Sequence, residues 1–235
     1  MELIASKTVG EIVAENYKTA DVFKKHGIDF CCGGGVGLAE ICRRKSLNYT
    51  QIETELAALS NDIPESHNFN NWEVDVLVDY IIEKHHTYVT ENIPLLFEYA
   101  EKVARVHGQN YPETVKIKDL FYKVAEELPV HLQKEEQILF PFIKMMAEAK
   151  RKGLPMPKPP FGTVQNPIRM MENEHDDSGE LFKEIAVLSN HYQPPEGACN
   201  TFRVLYAKLK EFEDDLHRHI HLENNILFPK AIGLE

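Results

Sequence analysis

Two stretches of the sequence follow one pattern, HLQKEEQILFP at residues 131–141 and HIHLENNILFP at residues 219–229. Both read His-x-x-x-Glu-x-x-Ile-Leu-Phe-Pro, and they lie 88 residues apart. A histidine and a glutamate four positions apart share one face of an α-helix, with Cβ atoms about 6 Å apart, so both can reach one metal ion. One such pair is common on exposed helices, whereas two copies at matching positions indicate a metal site.

Two further histidines, His86 and His175, extend the repeat, because a pair of apolar residues lies five and four positions before each of them. The interval from His86 to His131 is 45 residues, and that from His175 to His219 is 44 residues. The sequence therefore predicts two helical hairpins that each supply one histidine and then a His-x-x-x-Glu pair. His85 competes with His86 for the same role, and only the repeat favours His86.

Apolar residues recur with helical periodicity in four long segments. The segments cover about residues 73–107, 115–149, 164–191 and 198–231. Stretches rich in glycine and proline separate them, and no stretch alternates in the way that β-strands do. The pattern predicts an all-α fold whose main part is a four-helix bundle. An α-solenoid is the weaker interpretation, since the repeat is only twofold.

The first 60 residues predict several short helices. Thr8 can cap one helix, a second can stop at His26-Gly27, and Thr50 to Glu53 form a capping-box pattern ahead of another. The polar stretch 60–66 follows, and we place a domain boundary there. The predicted domains are residues 1–62, a small helical domain, and residues 68–235, the bundle.

The small domain contains two adjacent cysteines, Cys31 and Cys32, in the sequence DFCCGGG at residues 29–35. The spacing of the four cysteines fits neither a disulfide framework nor a Cys-x-x-Cys zinc motif. A bridge between neighbouring cysteines is strained, so the pair is interpreted as two thiols with a redox or metal-handling role rather than as part of a plain flexible turn. Cys42 and Cys199 are predicted to be ordinary packing residues.

The ligand set indicates the class of metal. The candidate ligands are His86, His131, Glu135, His175, His219 and Glu223. Six nitrogen and oxygen ligands exceed the needs of tetrahedral zinc, and calcium would prefer oxygen ligands alone. Imidazoles and carboxylates from four helices suit two non-haem iron or manganese ions, with each glutamate able to bridge. Without a metal, burial of these groups would cost several kcal/mol.

Three polar residues that neighbour these ligands in the sequence are not predicted to be ligands themselves. His217 and His221 point about 160° away from His219 on a helix, and we expect them to face solvent. Glu174 precedes His175 and either orients a ligand or lies on a solvated face.

Composition excludes some functions. The 235 residues include 26 Lys and Arg and 37 Asp and Glu, which give a formal charge of −11. This charge argues against nucleic acid as a partner, because phosphate contacts need a concentrated positive surface. The sequence lacks both an apolar run of about 20 residues and a signal-like N-terminus, so we expect a cytoplasmic protein with no membrane partner.

Four motifs together give a family resemblance: DFCCGGG (29–35), KEEQILFP (134–141), EHD (174–176) and LENN (222–225). The sequence resembles the RIC (repair of iron centres) family of ScdA/YtfE-type iron–sulfur cluster repair proteins over essentially its whole length. The resemblance implies a haemerythrin-like di-iron bundle behind an ScdA-type domain. It also implies two irons, oxo- and carboxylate-bridged, on the six residues above, with Cys31 and Cys32 as the family's Cys-Cys motif.

The resemblance implies a cytoplasmic protein that can form a homodimer and whose partners are iron–sulfur proteins damaged by oxidative or nitrosative stress. The leading hypothesis is repair of their clusters by iron donation. One alternative is a di-iron nitric oxide reductase in which Cys31 and Cys32 relay electrons. Another is a haemerythrin-like oxygen or redox sensor, against which the Cys-Cys domain and the small number of histidine ligands both argue.

Overall fold

The computed structural model describes residues 7–59 and 68–235. The predicted boundary segment, residues 60–66, lies outside these ranges, so the two proposed domain limits stay predictions. Within the described ranges the chain is helical, and an antiparallel bridge between Thr8 and Gly37 stands alone, outside any β-strand. None of the helices in these ranges is long and apolar enough to cross a bilayer.

Four short helices form the N-terminal part: α1 (Val9–Glu15), α2 (Thr19–Lys25), α3 (Leu38–Lys45) and α4 (Tyr49–Ala57). Thr8 caps α1 through a capping box with Glu11, as predicted. The capping box predicted at Thr50 is wrong, because Asn48 is the N-cap of α4 and its side chain accepts a hydrogen bond from the backbone N–H of Gln51. Thr50 instead lies inside the first turn, since an asparagine cap was available two residues earlier.

The rest of the described chain forms the predicted four-helix bundle. The first bundle helix consists of α5 (Val74–Ile81), a π-helical segment (Ile82–His86) and α6 (Thr87–His107). The second consists of α7 (Glu113–Lys134), a π-helical segment (Glu135–Leu139) and α8 (Phe140–Lys152). The third is α9 (Gln165–Leu188). The fourth consists of α10 (Asn200–Leu222), a π-helical segment (Glu223–Leu227) and α11 (Phe228–Ile232). These bounds lie within three residues of the predicted ones.

The sequence repeat is also a structural repeat. In the second and fourth bundle helices, the π-helical segment begins at the glutamate of the motif and ends two residues before the proline. A proline lacks the N–H that an α-helix needs and crowds the preceding turn, so a wider turn lets the helix continue past Pro141 and Pro229. Such π segments occur often at functional sites, and here each one carries a candidate ligand.

Two apolar clusters fill the bundle above and below the level of the candidate ligands. One contains Phe121, Phe182 and Phe212 and continues into the N-terminal helices. The other contains residues such as Val78 and Leu227 from the opposite half of the bundle. Along every bundle helix the candidate ligands fall between these clusters, so they occupy a layer enclosed by apolar side chains.

The N-terminal helices pack against the fourth bundle helix through specific polar contacts. Asn225 Nδ2 donates to the backbone carbonyls of Phe30 and Cys31 at 3.4 and 3.1 Å. Lys24 Nζ forms an ion pair with Asp214 at 2.9 Å. Gly10 lies against Asn225, where a Cβ on Gly10 would be 2.2 Å from Asn225 Oδ1. The close approach of α1 to the bundle therefore requires glycine at position 10.

We expect the Gly10→Ala substitution to destabilise this interface by about 1–3 kcal/mol, because its methyl group overlaps Asn225. The loss must exceed the gain of about 1 kcal/mol that alanine brings to a helix interior. Chemical denaturation, together with hydrogen exchange of α1–α4, measures both the size and the location of the effect. Gly35→Ala is the matched control, since a Cβ there meets no atom within 4 Å. Equal stability of the two variants would contradict the expectation.

Candidate metal centre

The six candidate ligands come together in the enclosed layer as two adjoining sets. His86 and His219 form one set with both glutamates, and His131 and His175 form the other set with the same glutamates. Within each set, one ligand atom per residue lies within 4.8 Å of every other. The Nε2 atoms of His86 and His219 are 3.2 Å apart, and those of His131 and His175 are 3.1 Å apart.

Each glutamate faces both sets. Glu135 Oε2 lies 3.5 Å from His86 Nε2 and 3.4 Å from His131 Nε2. The two oxygens of Glu223 divide between the sets, because Oε1 is 3.0 Å from His219 Nε2 and Oε2 is 3.1 Å from His175 Nε2. The carboxylates therefore stand where they could coordinate two cations at once.

Hydrogen bonds at Nδ1, the ring nitrogen that faces away from the layer, orient three of the histidines. Nδ1 of His86 donates to Glu136 at 2.7 Å, and Nδ1 of His131 donates to Glu174 at 2.8 Å. Since a carboxylate can only accept, Nδ1 carries the proton and the Nε2 lone pair points into the layer. Nδ1 of His175 donates likewise to the amide oxygen of Asn224 at 2.8 Å.

Two of these orienting residues escaped the sequence interpretation. Glu136 and Asn224 each follow a motif glutamate directly, so they occupy the same position in the two copies of the repeat. Their matching positions in the repeat are the sequence feature from which an orienting role could have been inferred. For Glu174 the sequence left two readings, and the structure places its carboxylate on His131 and Lys134 rather than in solvent alone.

The layer contains buried carboxylate oxygens that lack a hydrogen-bond partner among the described residues. Glu135 and Glu223 are both 0% exposed. Neither carboxylate oxygen of Glu135 has a hydrogen-bond partner in the described part of the chain. The Nε2 atoms of each histidine pair face one another across the layer. Because buried carboxylates are normally paired or bound to metal, the donor set fits a pair of metal ions.

The protonation states agree with this arrangement. Burial lowers the pKa of His131 to about 3 and that of His219 to about 4, so both imidazoles are neutral and able to coordinate at pH 7. Burial and the neighbouring Glu223 raise the pKa of Glu135. Although Glu223 is also buried, its contacts with His219 and His175 hold its pKa low. Two bound cations would let both carboxylates ionise.

The prediction that His217 and His221 face solvent is wrong. His221 is 1% exposed, and its Nδ1 accepts a hydrogen bond from Asn225 Nδ2 at 3.2 Å. His217 packs against the Phe30 ring, 6.2 Å between centroids. Both lie under the N-terminal helices, which cover the face of the fourth bundle helix that sequence periodicity would leave exposed. His85 is also buried, bonded through Nδ1 to Asp215 at 3.0 Å, and belongs to neither set.

The cysteine pair lies at the interface with the bundle. Cys31 is buried and Cys32 is partly exposed, and their Sγ atoms are 3.8 Å apart as free thiols. A Cβ placed on Gly179 of α9 would lie 3.8 Å from Cys32 Sγ, and Gly179 is one turn beyond His175 on the same face. Cys32 therefore lies against the bundle about one helical turn from the candidate ligand His175.

The other two cysteines differ from each other. Cys42 is buried in the N-terminal core, as predicted. The prediction that Cys199 packs is wrong, because it is exposed at the N-cap position of α10, with its sulfur 3.2 Å from His107 Nε2. It enters the helix from a proline-rich surface loop, and this loop leaves the side chain uncovered.

Comparison with known families and proteins assigns both parts of the chain. Residues 5–60 match ScdA_N, described as a domain of unknown function (DUF542). Residues 77–231 match Hemerythrin, described as the hemerythrin HHE cation binding domain. The described helices of the bundle and the buried histidines and glutamates fit that description.

Similar proteins match over nearly the full length. A probable iron-sulfur cluster repair protein of Haemophilus influenzae is 36% identical over 232 residues, covering 97% of this chain and 98% of that protein. The iron-sulfur cluster repair proteins YtfE of Yersinia pseudotuberculosis and Yersinia pestis are each 35% identical over 227 residues, covering 97% of both chains. The chain therefore belongs to the family of iron–sulfur cluster repair proteins that join an ScdA_N domain to a haemerythrin-type bundle.

Proposed function

We propose that this protein is a di-iron protein that helps to repair iron–sulfur clusters damaged by oxidative or nitrosative stress, and that it does so by donating iron. The observation that carries the proposal is the pair of adjoining histidine sets that share two fully buried carboxylates. The names of the relatives from Haemophilus and Yersinia support the repair role.

His86 and His219 would hold one iron, and His131 and His175 would hold the second, with Glu135 and Glu223 shared between them. Bound there, iron provides a releasable store, because imidazole and carboxylate ligands hold it less firmly than thiolates hold softer metals. The orienting carboxylates of Glu136 and Glu174 keep the Nε2 atoms of their histidines directed at the site and raise their basicity.

A cavity of about 350 Å³ opens from the surface onto His131 and supports release by this side. Four acidic residues line it: Glu126, Glu127, Glu174 and Asp177. Lys134 is the basic residue in the lining, and it is paired with Glu174. An opening with excess negative charge attracts cations and lowers the barrier to their passage. We infer that iron leaves along this route to a damaged iron–sulfur protein. A cytoplasmic location and a homodimer stay predictions.

Iron-loaded protein is expected to reactivate an enzyme whose iron–sulfur cluster has been damaged, whereas metal-free protein and His131→Ala are not. The variant removes one nitrogen ligand and leaves Glu135 without that contact. Recovery of the client enzyme's activity, with iron content measured before and after, tests this. Equal reactivation by the metal-free protein would contradict iron donation.

Two further measurements separate the alternatives. Steady nitrous oxide production with a reductant, lost when both cysteines are replaced, would support nitric oxide reduction. A stable, reversible oxygenated spectrum without iron transfer would instead support a sensor.

Glu174→Gln is expected to lower iron affinity about 10- to 100-fold, because a neutral amide orients and polarises His131 less strongly than a carboxylate. Competition with a chelator of known affinity measures the change. Glu184→Gln is the control, since Glu184 lies on the same helix and is exposed. An unchanged affinity in Glu174→Gln would show that the carboxylate has no part in holding the metal.

A further inference from the structure

The cysteine loop holds a second group of donor atoms, away from the bundle ligands. Asp29, Cys31 and Cys32 each offer one atom, and these three atoms lie within 4.8 Å of one another. The two Sγ atoms are 3.8 Å apart, and Cys31 Sγ is 3.3 Å from Asp29 Oδ1. Nothing in the proposed iron donation uses this group.

We propose that Asp29, Cys31 and Cys32 form a separate metal site that binds one divalent cation of the Zn²⁺ or Fe²⁺ class. The site goes beyond the proposed function, because it needs neither iron in the bundle nor a damaged client. Binding forms two metal–sulfur bonds and one metal–oxygen bond, and the two thiol protons pass to solvent without any change of oxidation state.

The spacing of the sulfur atoms fits this chemistry. With metal–sulfur bonds of about 2.3 Å, two thiolates on a tetrahedral ion lie about 3.8 Å apart. The measured separation of the Cys31 and Cys32 sulfurs equals that edge. Asp29 Oδ1 stands near a third corner. Little movement of the side chains is needed to admit a cation.

The loop is held in this conformation before any metal binds. The backbone N–H groups of Cys31 and Cys32 donate to Asp29 Oδ1 at 3.0 and 3.1 Å. From the bundle, Asn225 holds the carbonyl of Cys31, and Lys183 lies 3.6 Å from Asp29 Oδ2. A site fixed from both sides loses little entropy on binding a cation.

Charge also favours a cation. The adjacent Cys32 thiol, burial and the Asp29 carboxylate together raise the pKa of Cys31. Two thiolates beside a carboxylate would repel one another, and a bound divalent cation removes that repulsion.

The site is accessible through a cavity of about 490 Å³ between the N-terminal helices and the bundle, which Asp29 and Cys31 line. Three protein ligands leave a fourth position open, as in zinc sites that exchange a ligand. Four lysines line the same cavity, Lys24, Lys45, Lys183 and Lys210.

Cobalt(II) titration of the reduced full-length protein, with iron already loaded in the bundle, tests the proposal. We expect a thiolate-to-cobalt charge-transfer band that saturates at one equivalent. Cys31→Ser and Cys32→Ser should abolish the band, and Asp29→Asn should weaken binding at least about 10-fold, in line with loss of an anionic ligand. Cys199→Ser is the matched control and should leave the band intact. Histidine and carboxylate ligands in the bundle give no thiolate band.

His131→Ala separates this site from iron donation, since it should stop reactivation of the client enzyme and preserve the band. A missing band in the wild-type protein, or one that survives replacement of both Cys31 and Cys32, would overturn the proposal.

A second measurement uses the wild-type protein and therefore does not depend on the folding of any variant. In the wild-type protein, Zn²⁺ should slow alkylation of Cys32 at least about 10-fold and leave Cys199 unaffected, as read by mass spectrometry. Equal protection of both cysteines, or protection of neither, would also overturn the proposal.

Discussion

The structure depends on two carboxylates, Glu135 and Glu223, that are fully buried among four imidazoles. Burial of these ionisable groups opposes folding, and bound cations would offset that cost. Other features of the bundle fit this arrangement. The π-helical segments turn the glutamates inward, and the apolar clusters above and below keep water out of the layer. Nδ1 of His86 and Nδ1 of His131 each donate to a carboxylate outside the layer, so the Nε2 atoms of these two histidines face the centre.

The segment from Glu223 to Asn225 joins this centre to the small domain. Glu223 faces both histidine sets, Asn224 orients His175, and Asn225 holds the cysteine loop and His221. Three consecutive helical residues face three directions, because successive side chains are about 100° apart in an α-helix and somewhat less in the π-helical turn that begins at Glu223. This segment therefore fixes the position of the thiols relative to the ligand layer, to which it also supplies Glu223.

Much of the fold and of the candidate site could be predicted from local pattern. Helical periodicity located the bundle helices, and the twofold repeat brought together six residues from four helices. The errors concern contacts that no local pattern encodes. His221 is buried because Asn225 binds Phe30, a partner 195 residues away in the sequence. The same docking partly covers His217, whereas Cys199 is exposed at the N-cap of α10 despite its contact with His107. Periodicity defines a helix face but not the element that covers it.

The two donor groups differ in the softness of their ligands, and this difference gives them different roles. Imidazole and carboxylate ligands bind Fe²⁺ with moderate strength, whereas thiolates bind borderline and soft cations more firmly. If both groups held equally strong ligands, iron in the bundle would have no reason to leave. Cys32 lies against α9 one turn from His175, so a thiolate site stands close to the weaker one without sharing a ligand with it. The raised pKa of Cys31 keeps its thiol protonated until a cation displaces the proton, which makes metal capture there dependent on proton release. Under the two proposals, the chain would place a releasable store and a more tightly binding site side by side, with separate openings onto His131 and Cys31.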